Sequence, residues 1–160
     1  MKEKALFKSE AAKATLLAAY EEVLDRWPLP LERLKVETRV GETAVLAFGP
    51  SAVDGKKHRP LILLHGTLSN SSMWLGDAAA LARDRRVFAV DIPGEPGMSA
   101  GTRLDWQGDA CALWLEEVAA GLGLKEHDLL GLSIGGWIAL SYAIGWRAEC
   151  TTIWRRRSAT

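Results

Sequence analysis

The residues best suited to chemistry in this chain are Gly131-Leu132-Ser133-Ile134-Gly135. A short apolar run, Leu129-Leu130, leads into them. Gly136-Trp137-Ile138-Ala139-Leu140-Ser141-Tyr142-Ala143 leads out with helical character. Strand, G-x-S-x-G and helix, in that order, is the setting in which a sharp turn presents a serine hydroxyl as a nucleophile. Glycines two residues either side let backbone and neighbouring elements come close. The chemistry would be attack on an acyl carbonyl, at a helix start whose unpaired N–H groups face the serine. The Ile134 N–H would point at the developing oxyanion, where one such donor is worth about 2.7–4 kcal/mol in catalysed rate.

A serine nucleophile also needs a base to take its proton. The chain has three histidines, His58, His65 and His127, and all precede Ser133. His58 lies in a polar loop and reads as solvated, and His127 reads as a surface residue ahead of the elbow strand. Glu149 is the only carboxylate after Ser133, in a setting that matches no strand able to present it. Cys111 and Cys150 form neither a disulfide framework nor a metal-ligand spacing and read as free buried thiols. No metal or cofactor is expected. A P-loop fingerprint is absent, and Gly131 to Gly136 lacks the G-x-G-x-x-G spacing of a dinucleotide site.

The elements that must position the serine are legible in the hydrophobic periods. Glu10 to Trp27 reads as a helix, with Ala14, Leu16, Leu17, Tyr20, Val23 and Leu24 at three- and four-residue steps. Pro28 and Pro30 stop it. Leu34–Val40 alternates apolar and polar, Thr43–Phe48 is a second β-prone run, and Gly41-Glu42 suits the hairpin turn between them. Pro50 to Pro60 is a polar loop. Leu61–Leu64 is a continuous apolar run, as in a strand buried on both faces. Ser71 or Ser72 would cap a helix running to about Arg83. Arg86–Val90 reads as another strand, Asp105 to about Leu122 as a helix, and Leu129–Leu132 as the strand before the elbow. The alternation predicts an α/β fold. Its sheet is mostly parallel with helices on both faces and carries an antiparallel N-terminal hairpin. Trp74 and Trp114 read as core, and Asp91 is expected to hydrogen-bond the turn it opens.

Composition fits one globular domain. The 160 residues are 48% hydrophobic and 25% charged, with twenty basic and twenty acidic side chains in balance. No field argues for nucleic acid or an anionic membrane surface, and Arg155-Arg156-Arg157 reads as a solvated tail. No apolar run approaches the roughly 18 residues of a membrane span. The charged start, Met1-Lys2-Glu3-Lys4, is unlike a signal sequence. A soluble cytoplasmic protein is the default expectation.

Three segments together resemble the α/β-hydrolase family: Leu63-Leu64-His65-Gly66-Thr67 with Trp74 downstream, Asp91-Ile92-Pro93-Gly94-Glu95-Pro96-Gly97-Met98-Ser99, and the elbow itself. The segment from Asp91 to Ser99 is similar to the family's D-x-P-G-x-G-x-S turn with one residue added. The resemblance covers roughly residues 34–143 and is most like bacterial carboxylesterase-type members. It implies that Ser133 is the nucleophile and that the N–H groups of Thr67 and Ile134 form the oxyanion hole. It implies a structural role for His65, bonding within its own loop, and a small acyl ester as substrate. The family order is Ser…Asp/Glu…His, and further strands would present the acid and histidine after the elbow helix.

That order divides the chain into an N-terminal helix at 1–30, a partial hydrolase core at 31–144 and an atypical tail at 145–160, where periodicity is lost. The expectation is a truncated or frame-shifted form whose continuation is replaced from about Gly145. Its activity would be impaired for want of acid and base, and its unpaired elbow strand would invite self-association. The alternatives are a non-catalytic hydrolase-fold module that binds a ligand or partner, and one half of a split enzyme.

Overall fold

A computed structural model describes residues 6–50, 58–106 and 108–145. Among the described residues, five strands form one mixed sheet: β1 (Leu31–Thr38), β2 (Gly41–Phe48), β3 (Leu61–Leu64), β4 (Val87–Val90) and β5 (Asp128–Gly131). Their spatial order is β1-β2-β4-β3-β5. β1 and β2 form an antiparallel hairpin, β2 runs antiparallel to β4, and β3 is parallel to both β4 and β5. The described residues also form four α-helices: α1 (Glu10–Leu24), α2 (Ala78–Leu81), α3 (Ala110–Gly121) and α4 (Ile134–Gly145).

The apolar strand runs work because successive side chains point to opposite faces. Ile62, Leu64, Phe88, Val90, Val45 and Ala47 join one core with Trp114, Leu115, Val118 and Cys111 of α3 and Ile138 and Tyr142 of α4. Leu61, Leu63, Val87, Ala89, Leu46 and Phe48 join the other with Tyr20, Leu24, Trp27, Trp74 and Ala78. Helices therefore cover both faces, as the alternation predicts. Trp114 is fully buried and donates its indole N–H to the Thr43 hydroxyl at 3.0 Å. Cys111 is buried as expected, and burial pushes its thiol up to about 11. Cys150 lies outside the described residues.

Several boundaries differ from the periodic reading. The hairpin turn is Arg39-Val40, not Gly41-Glu42, because Thr38 pairs with Gly41 and Glu37 with Glu42. Arg39 is held there by Glu117 of α3, which accepts both its backbone N–H (2.9 Å) and its Nε–H (2.8 Å). Val40 packs against the core. The single helix expected over Ser71 to Arg83 is instead a 3-10 turn at Ser71–Trp74 followed by α2. Asn70 is the cap, accepting from the Ser72 N–H at 3.0 Å. α3 begins at Ala110 rather than Asp105, and α1 ends at Leu24, ahead of the prolines. The C-terminal tail and most of the polar loop lie outside the described residues.

Candidate active site

The chain order brings two loops together at the carboxyl ends of β3 and β5. From β3 the chain passes to β4 on one side, then crosses through α3 to β5 on the other. The segment after β3 leads to Trp74 and Ala78 on one face, whereas α4 packs on the opposite face. Loops that leave the carboxyl ends of adjacent parallel strands for opposite faces open a cleft there, the usual ligand position in such sheets. Gly66 and Thr67 follow the carboxyl end of β3, and Ser133 follows that of β5.

The elbow geometry follows from its glycines. Ser133 is exposed and has φ +53°, a left-handed conformation that side chains rarely adopt. Such backbone costs about 1–3 kcal/mol and persists only where the surroundings fix it. Here the Leu132 N–H donates to the Leu64 carbonyl (3.0 Å), Gly135 N–H to Leu132 (2.9 Å) and Trp137 N–H to Ser133 (3.0 Å). A Cβ on Gly131 would stand 2.3 Å from the Gly135 backbone. The strand-to-helix turn can close this tightly only with glycine at that position. Among the described residues, no protein acceptor takes the N–H of Ile134 or of Thr67.

Across the cleft, a Cβ added to Gly66 would be 3.7 Å from the Ser133 Cβ, so the segment after β3 runs alongside the serine. Thr67 is exposed beside it. His65 is fully buried. Its Nδ1 contacts the Gly66 carbonyl at 2.8 Å, and its Nε2 accepts the Ile92 N–H at 2.9 Å. With one nitrogen donating and the other occupied as acceptor, the ring is neutral. Burial holds its pKa below the usual histidine range, against the pull of the Gly66 carbonyl, Asp91 and Glu95. His65 is therefore structural, and its bonds reach beyond its own loop to the next strand end.

Asp91 ties the site to the rest of the fold. Its Oδ1 accepts the Tyr20 hydroxyl (3.0 Å) and the Ser71 N–H (2.8 Å), and its Oδ2 accepts the Met98 N–H (2.8 Å). The last bond is the one expected within its own turn. The link to α1 is not legible in sequence, where Tyr20 reads only as core. Burial, and next the Asp91 charge, push the Tyr20 hydroxyl well above the usual tyrosine range.

Neither remaining histidine reaches the serine. His58 pairs with Asp84 at 3.2 Å rather than standing free in solvent. His127 is not a surface residue: it is 6% exposed, at the opposite end of β5, with its ring 5.7 Å from that of Tyr142. Helices α3 and α4 fold over this start of β5, which a linear reading cannot reveal. Glu149 lies outside the described residues. No group of three or more potential metal ligands occurs among the described residues, and no described helix is long and apolar enough to cross a membrane.

A mixed sheet covered on both faces, with a strained serine at a strand-to-helix elbow beside a His-Gly strand end, defines the α/β-hydrolase fold. Residues 61–157 match the Alpha/beta hydrolase family, and the chain belongs to that family. It is similar to carboxylesterase YbfK of Bacillus subtilis, at 40% identity over 74% of this chain and 38% of that protein. It is also similar to the uncharacterized carboxylesterase nap of the same organism, at 35% identity over 78% of this chain and 40% of that one. The crystal structure of carboxylesterase CesB (YbfK) superposes with a TM-score of 0.76 and 34% identity, over 86% of this chain and 47% of the other. The chain thus spans about 40% of the length of these two curated relatives.

Proposed function

We propose that this chain carries the nucleophile and oxyanion hole of a serine hydrolase acting on small carboxylic esters. The left-handed conformation of Ser133 beside Gly66 carries the reading. The carboxylesterase names of its relatives support the ester class. In the reaction the Ser133 Oγ bonds to the carbonyl carbon, while the N–H groups of Thr67 and Ile134 hold the oxyanion. The ester C–O bond then breaks, the alcohol leaves with the serine's proton, and water releases the acid from the acyl-serine. A base must carry that proton, and none of the chain's three histidines is placed to do so. Activity of the chain alone is therefore small, near the residual ~10³–10⁴-fold over water that survives loss of triad members.

A second reading, one half of a split enzyme, is favoured by a specific surface. Among the described strands β5 pairs only with β3, and Trp137, Leu140 and Ile144 of the adjacent α4 are exposed. An open sheet edge beside apolar surface favours association, with a partner or with itself.

Fluorophosphonate labelling with peptide mapping tests both. Slow modification of Ser133 in the folded chain, lost in Ser133→Ala, is expected. Labelling only after a complementing polypeptide is added establishes the split enzyme. No labelling under either condition leaves a non-catalytic binding module and sinks the hydrolase reading. Labelling as fast as that of a complete esterase contradicts the impairment.

A further inference from the structure

We propose that Glu95 is a positioning residue that fixes the oxyanion-hole segment Gly66-Thr67-Leu68. The proposal rests on the reading of Thr67 as an oxyanion donor given above. Glu95 is 6% exposed, and its Oε2 accepts the Leu68 N–H at 2.5 Å. Leu68 has φ +55° and is 76% exposed, so its unusual backbone is not held by apolar packing of its side chain. A second tie lands one residue on, where Asn70 Nδ2 donates to the Pro96 carbonyl at 2.8 Å. Glu95 is itself braced, its N–H on the Ile92 carbonyl (3.1 Å) and its carbonyl on the Gly97 N–H (2.8 Å).

Thr67 thus lies between two anchors. His65, two residues before it, is bonded to Ile92, and Leu68, the next residue, is bonded to Glu95. Both ties from the 68–70 segment end on Glu95-Pro96, the part of the turn that holds one residue more than the family pattern. Without the Glu95 acceptor, the Leu68 N–H loses its protein partner and little keeps Leu68 left-handed. The Thr67 peptide is then free to turn away from the carbonyl oxygen of the substrate. Donor placement matters steeply, because displacement of about 1 Å can cost about a hundredfold in rate.

The test compares wild type, Glu95→Ala, Glu95→Asp and Glu95→Gln. It measures the maximal rate and half-saturation of fluorophosphonate modification at Ser133, hydrogen exchange at the Leu68 amide, and folding by circular dichroism. Glu95→Ala is expected to lower the maximal rate about tenfold or more, short of the ~10²–10³ typical of deleting a donor outright, with half-saturation little changed. Glu95→Asp, one methylene short, shows the same loss. Glu95→Gln, which keeps an acceptor oxygen at that reach, recovers both rate and amide protection. A folded Glu95→Ala or Glu95→Asp that exposes the Leu68 amide yet reacts at the wild-type rate overturns the proposal, as does Glu95→Gln reacting as slowly as Glu95→Ala. If wild type itself is not modified at Ser133, the underlying hydrolase reading fails. That failure is recognisable because Leu68 exchange still responds to Glu95→Ala.

Discussion

Gly135 passes so close to the carbonyl oxygen of Leu64 that a Cβ added to it would lie 2.3 Å away, with the His65 oxygen at 2.6 Å. The first turn of α4 is thereby pressed against the end of β3. This contact places Ser133 beside Gly66. Backbone atoms cannot yield as a flexible side chain can, so Gly135→Ala must separate the two elements. The expected cost is about 3 kcal/mol, the upper end of ordinary overpacking, together with loss of serine labelling. Gly136→Ala is the control. Its Cβ would meet the Gly131 oxygen at 3.1 Å, and the gain in helix propensity of up to about 1 kcal/mol offsets the squeeze. Urea titration of both variants distinguishes them, and equal stabilities would contradict the account.

Asp91 is the acceptor on which α1, the 3-10 turn and the 91–99 turn converge. Asp91→Ala strands three donors, among them the buried Tyr20 hydroxyl and Ser71 N–H. At about 1–3 kcal/mol for each of the two buried groups left unmade, a loss of about 2–6 kcal/mol is expected. Tyr20→Phe removes one donor without stranding the others and should cost only about 1 kcal/mol. Thermal melts of the two variants test the ranking. A Tyr20→Phe effect as large as that of Asp91→Ala would show that Asp91 acts chiefly through α1.

Two buried histidines make the fold acid-sensitive. Burial lowers the pKa of both His65 and His127 below the usual range. Below about pH 6.5 the unfolded chain takes up protons on these rings, while the folded chain resists until its lower pKa values are reached. These two rings therefore leave stability unchanged above neutrality, and their contribution lowers it as the pH drops below about 6.5. Among the described residues, neither ring nitrogen of His127 has a hydrogen-bond partner. Glu116 and Asp128 act on the ring in favour of protonation and Arg59 against it, without overcoming burial. His127→Phe should raise stability at pH 7 by about 1 kcal/mol, because it removes buried polar atoms that gain nothing. It should also flatten the acid slope. Denaturant midpoints at pH 7.5, 6.5 and 5.5 report both effects, and an unchanged slope would exclude His127 as a contributor.

Much of the fold was legible because it rests on local pattern. The Leu61–Leu64 run is β3 without adjustment, and the odd and even residues of the strands sort into two cores by the period of the strand. The elbow was legible because G-x-S-x-G states a steric requirement, now visible as the 2.3 Å approaches at Gly131 and Gly135. Boundaries were less legible. The hairpin turn moved to Arg39-Val40, where Glu117, far along the chain, holds Arg39. The helix expected from Ser71 broke into two short pieces, with Asn70 rather than a serine as the cap. The added residue near Glu95 was visible as a departure from pattern, yet its partner, the Leu68 N–H, was not.

Residue type and short spacing alone carry the alternation of strands and helices and the tight serine elbow. Steric and hydrophobic rules translate these directly. Which polar groups meet is set by the folded chain. It buried His127, occupied both nitrogens of His65, joined Tyr20 to Asp91 and Glu95 to Leu68, and set β5 beside β3 alone among the described strands. Such pairings join residues far apart in the chain. They are fixed by the crossover of β5 past β3 and by the packing of α1, α3 and α4, which no local pattern encodes.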